Sequence, residues 1–81
     1  MNAEEGISQM ITELVIRNYS KRTVKTYAGC VKTYLSFTEA GKYDIGEASL
    51  RQFLYQKKEK GESASGINLY LNAVKSYMRI V

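Results

Sequence analysis

The chain has 81 residues, a net charge of +4, one cysteine, and neither histidine nor proline. So short a chain is one domain, burying only about 60% of the surface its unfolded form exposes, and Cys30 has no partner for a disulfide. Without imidazole the histidine-based acid–base and metal sites are excluded, and no Cys/His cluster remains for zinc, so no metal or cofactor is expected, catalysis is a poor fit, and Cys30 reads as a small buried residue rather than a reactive thiol.

The opening MNAEEGISQM lacks the basic and apolar regions of a signal peptide, and no apolar run approaches the roughly 18 residues of a membrane span. A cytoplasmic protein with no membrane partner is therefore expected, and the starting methionine is read as a native beginning. Ile7, Met10, Ile11, Leu14 and Val15 recur at spacings of three and four, which predicts a first helix over 5–17. Asn18 is placed to end it, and Ser20 to cap the next. The second helix is expected over 21–40, with Val24, Tyr27, Ala28, Val31, Tyr34 and Leu35 as its apolar stripe and Phe37 near its end. Gly41 stands where a left-handed C-cap is expected.

Ile45 is expected to anchor the following loop. GEASLRQFLYQKKEKG reads as a third helix, with Ala48, Leu50, Phe53 and Leu54 available to the core and Gly61 ending it. Its tail QKKEKGE interleaves lysines with Glu59 and Glu62, so it reads as a solvated helix end before a phosphate-binding patch. Ser63 or Ser65 can cap a fourth helix, whose stripe is Ile67, Tyr70, Leu71, Val74, Tyr77, Met78 and Val81. No period of two persists, and the fold class expected is all-α, four helices joined by short loops.

One phrase occurs twice. SKRTVKTYAGCVKTYL, from Ser20, matches SASGINLYLNAVKSYM, from Ser63, at an offset of 43 positions: Val24 meets Ile67, Tyr27 meets Tyr70, Val31 meets Val74, Lys32 meets Lys75 and Tyr34 meets Tyr77. The shared positions are mostly cap and core, which predicts a pseudo-symmetric pair of helical hairpins; convergence of two amphipathic helices in one bundle explains the same pattern.

Core packing does not explain the outward faces. Residues 1–16 hold Glu4, Glu5 and Glu13 with no cation, whereas Lys21, Arg22, Lys25 and Lys32 lie in a stretch with no acid from Ser20 through Thr38. Cations gathered at a helix N-terminus, beside its free N–H groups, suit a polyanion. In the fourth helix Ser65, Asn68, Asn72, Lys75 and Arg79 recur at spacings of three and four opposite the apolar stripe. Such side chains suit base edges or phosphates; a merely solvated face is the plain alternative.

YSKRTVKTYAGCVKTYLSF, followed by LRQFLYQKKEKGESASGINLYLNAVKSYMR, resembles the N-terminal core-binding domain of tyrosine recombinases, the phage-integrase group, over about residues 8 to 80. Each motif is weak alone; their order and spacing carry the likeness. The resemblance implies a SAM-like orthogonal bundle of two helical hairpins lying on one side of duplex DNA, with the second and fourth helices toward it, while a separate catalytic domain clamps the other side. Carried over by position, it puts Ser20, Lys21, Arg22, Thr23 and Lys25 near phosphates, and Ser65, Asn68, Asn72, Lys75 and Arg79 along the groove-facing helix; Lys32 and Ser63 complete the expected DNA-binding set. Gly66 stands where the family usually has threonine, which puts one hydroxyl contact in doubt.

The resemblance also implies a bacterial or phage-encoded parent, other recombinase protomers as partners in a synaptic tetramer, and protomer contacts through the apolar residues of the first helix; the isolated domain is expected to be monomeric. The catalytic domain is missing from the chain, and the apolar finish at MRIV is read as a cut at a domain linker. None of the tyrosines suits a nucleophile, because Tyr27, Tyr34, Tyr70 and Tyr77 fall on core stripes and unactivated phenols attack poorly near neutral pH. Two other readings stay open: a SAM-like protein-interaction module meeting its partner through Tyr- and Asn-bearing surfaces, distinguished by weak salt dependence, and a helix-turn-helix regulator, which needs a tight turn these loops do not offer.

Overall fold

The computed structural model describes residues 3–81; the starting methionine, on which the expectation of a native beginning rests, lies outside them. Among the described residues there are four helices and no strand: α1 (Ala3–Ile16), α2 (Lys21–Gly41), α3 (Glu47–Glu59) and α4 (Ala64–Ile80).

Local chemistry sets the helix starts. Ser20 and Ser63 are both extended, at φ −64° and −70°, and their hydroxyls accept the backbone N–H of Thr23 and of Gly66, each at 3.1 Å. Each thereby satisfies one of the orphan donors of a first turn. Ser63 rather than Ser65 is the cap of α4, and Ser65 lies inside its first turn. In α3 the Ser49 hydroxyl reaches back to accept the Gly46 N–H at 3.2 Å.

One device ends the first three helices. A residue in the left-handed region and the one after it each donate a backbone N–H back onto the last turn: Asn18 and its successor after α1, Lys42 and its successor after α2, and Gly61 and its successor after α3, the three left-handed residues at φ 69°, 55° and 92°. The expected left-handed Gly41 is thus corrected by one position. Gly41 is the last helical residue, and a Cβ there would run into the ring of Tyr43, which folds back to stack on Phe37 at 5.0 Å between centroids. Close approach, not a positive φ, requires that glycine.

Burial then selects the architecture. Met10, Val31, Tyr34, Ala73 and Val74 are wholly inaccessible, with Leu14, Leu50 and Phe53 almost so. The most extensive interface joins α2 to α4; α1 packs on both of these and α3 does likewise, while α1 and α3 do not touch. This is the four-helix, all-α bundle of two hairpins, α1/α2 and α3/α4, joined through α2 and α4. Its extents of 35 × 28 × 16 Å make it flat enough that every helix keeps an outer face.

Four apolar residues assigned to the core or to anchoring do not sit there: Val15 is 59% exposed and Val81 45%, Ala48 is exposed, and Ile45 is 53% exposed. The α2–α3 loop is held instead by the buried Tyr34 hydroxyl, which lies 2.6 Å from Ser49 Oγ and accepts the Gly46 N–H at 3.2 Å. Tyr34 also meets Phe53 edge-on at 5.5 Å, so one side chain ties α2 to the start and the middle of α3. Cys30 is buried, as expected of a small core residue.

Candidate nucleic-acid interface

The residues singled out on α2 divide into three environments. Ser20 and Thr23 form a unit, with the Ser20 hydroxyl donating to Thr23 Oγ1 at 2.9 Å while it accepts the Thr23 N–H. Lys21, Lys25 and Lys32 are exposed and share a groove with Ile11 and Val15 of α1. Arg22, also exposed, lies outside that groove, on a stripe with Thr26, whose hydroxyl donates to the Arg22 carbonyl at 2.9 Å. Arg17, the other cation of this stretch, is paired with Glu13 at 3.0 Å, so its charge is already answered from within its own neighbourhood.

On α4 the helix register brings Ser65, Asn68, Asn72, Lys75 and Arg79 to one face, and all five are exposed. Ala73, Val74 and Tyr77 on the opposite face are buried, so this face is the outer side of the bundle for the whole length of the helix. Ser63, spent on the cap, is exposed at its start. The missing hydroxyl at Gly66 leaves the cap intact, since the donor is a backbone N–H; what α4 lacks is the second hydroxyl that Thr23 supplies to α2.

The tail of α3 behaves differently. Lys57 is half-buried, with its ammonium 5.2 Å from the Tyr70 ring centre and 5.6 Å from that of Phe53, so its stem and charge are engaged with aromatic faces. Lys58 and Lys60 point to solvent around it.

A model of the phage integrase N-terminal SAM-like domain matches residues 7–81. The chain belongs to this family. No curated protein and no solved structure gives a significant match. Membership places the domain with the phage integrases and agrees with the all-α bundle.

Two phenols of this integrase-family domain, Tyr55 and Tyr77, are held away from the phenolate state. Burial, with Tyr34 adding to it, pushes Tyr77 up, and a hydrogen bond with Glu59, more than desolvation, pushes Tyr55 up. Nucleophilic attack needs the opposite shift. Burial, with Glu62 adding and Lys57 opposing, likewise pushes the Cys30 thiol up. No helix among the described residues is long and apolar enough to cross a membrane, and no group of acidic, cysteine or histidine side chains there could hold a metal ion.

Sequence reasoning missed the contribution of α1 to the cationic groove. Val15, assigned to the core, faces it, and exposed Gly29 lies along it. The signal was the glycine itself, an isolated helix-interior glycine with no turn nearby.

Proposed function

We propose that this domain holds duplex DNA for a tyrosine recombinase whose strand-exchange chemistry resides in a separate catalytic domain of the parent protein. The supporting observation is the uninterrupted polar outer face of α4, carried on a domain of the phage integrase family. Asn68 and Asn72 offer paired donors and acceptors to base edges, while Lys75 and Arg79, further along the same face, suit phosphates or guanine. At the start of α2, Lys21, Arg22 and Lys25, with Thr23 and the capping Ser20, present cations and hydroxyls next to a helix N-terminus, where a phosphate is favoured by both charge and dipole. Lys32 lies about two turns further along and suits a more distant phosphate. The partners in this reading are duplex DNA, the parent's catalytic domain and neighbouring recombinase protomers.

The test is an NMR titration of the labelled domain with a short random-sequence duplex at two salt concentrations. Amide shifts gathered at residues 20–25 and 65–79, fading at the higher salt, are expected. Absence of any response at low salt would overturn the reading and turn the search toward a protein partner.

A further inference from the structure

We infer that the groove between α1 and α2 is a docking site for an acidic amphipathic helix of a partner protein. The groove encloses about 480 Å³. Its floor is aliphatic, made by Ile11 and Val15 of α1 and by Val24 and Ala28 of α2, and its rim carries Lys21, Lys25 and Lys32. Beyond Val15 the chain exposes two further apolar residues, Ile16 at 71% and Tyr19 at 41%. A phosphate backbone answers the lysines but brings no aliphatic group to cover Val15, which is 59% exposed. A helix with acids on its flanks and leucine-like residues along its centre answers both.

Gly29 adds an independent observation. It sits in the interior of α2, where glycine weakens a helix, yet a Cβ built there meets nothing within 4 Å. Nothing inside the molecule requires it. Along this groove, its bare backbone lowers the wall so that another helix can approach closely. Lys21 and Lys32 are eleven residues apart in α2, which sets the rim at about 16 Å, or roughly three turns of an occupant.

The acidic side of α1 in a second copy of this chain does not supply such an occupant. The surface that α1 presents on its other side is lined by Glu5, Ser8, Gln9, Thr12 and Glu13, with Ile80 of α4 as its one aliphatic residue, and Glu13 already pairs with Arg17. It brings acids but no aliphatic row for the floor. The inference shares the rim lysines Lys21, Lys25 and Lys32 with the DNA reading and is told apart from it at Ile11, Val15 and Gly29, which have no part in that reading.

The probe is a synthetic helical peptide of about 14 residues with leucines on one face and glutamates flanking them, compared with the same peptide carrying lysine for each glutamate. Saturable amide shifts at Val15, Gly29 and Lys32 are expected with the glutamate peptide only. Val15→Glu and Lys32→Glu, checked for an unchanged helical circular-dichroism signal, are each expected to weaken it at least tenfold; Val15→Ser, which brings no charge to the lysine rim, should leave the response to duplex DNA unchanged. Equal binding of the lysine peptide, no saturable shift, or full affinity in Val15→Glu overturns the inference, as does DNA rather than peptide moving Ile11 and Val15. Loss of the DNA response with the peptide response retained removes the proposed function and leaves this site standing.

Discussion

Lys42 holds a left-handed conformation, φ 55°, that costs a side-chain-bearing residue about 1–2 kcal/mol, while the helical glycine before it spends no positive φ at all. Neighbouring substitutions should therefore act in opposite directions. Lys42→Gly relieves the strain and is expected to stabilise the domain by about 1 kcal/mol, read as a raised denaturation midpoint at unchanged slope. Gly41→Ala drives a methyl into Tyr43 and displaces it from Phe37, for an expected loss of about 1 kcal/mol in the same assay. The buried thiol gives a pH prediction. Because Cys30 is pushed up by burial, the folded state keeps its proton to higher pH than the unfolded chain does. The associated stability is fully present below the ordinary thiol value of about 8.5 and is lost as pH rises through the folded value. Between pH 7 and pH 10 the native domain should lose more stability than its Cys30→Ala variant; parallel losses would rule out a raised thiol.

At the scale of the helix, the two copies of the repeated phrase are alike in their caps and differ in one hydroxyl. Ser63→Ala should cost about 1 kcal/mol, the usual worth of an N-cap, and Ser20→Ala somewhat more, since the Thr23 hydroxyl loses its donor as well. Thermal unfolding of both variants measures the difference; equal losses would mean the Ser20–Thr23 hydroxyl bond contributes nothing. These caps, the stripes of α2 and α4 and the existence of all four helices were legible in the sequence, because capping and period depend on residues three and four apart. What stayed hidden depends on neighbours remote in the chain. Val15 belongs to the arithmetic stripe of α1, but α1 has no contact with α3, and the side of it bearing Val15 is left uncovered. Ser49 is a polar residue outside the apolar stripe, and it is buried because the Tyr34 hydroxyl receives it. Gly41 looked like a turn residue, and only the fold-back of Tyr43 shows it to be a contact residue. On the candidate interface, periodicity was enough to place all five polar residues of α4 outward, yet it could not separate Arg22 from the three lysines that share a groove with α1.

For the molecule as a whole, charge is segregated while the net value is small. The acids of α1 lie on the first helix, the free cations at the start of α2, and Lys75 and Arg79 on the outer face of α4. In the DNA-binding reading, a domain of this size should bind random-sequence duplex with Kd on the order of 10⁻⁴ to 10⁻⁶ M at physiological salt. The slope of log affinity against log salt counts the phosphates engaged, at about 0.9 per contact. Lys75→Ala removes a point charge, so in the DNA-binding reading it should lower the slope by about one and weaken all duplexes alike. Asn72→Ala removes no charge, and it should leave the slope unchanged while losing about 1–3 kcal/mol on one preferred sequence and little on random duplex. The pair of measurements, by fluorescence anisotropy over a salt series, separates phosphate contact from base readout on one helix face. An unchanged slope in Lys75→Ala would mean that the outer face of α4 is only solvated, and that the cations of α2 alone meet the DNA.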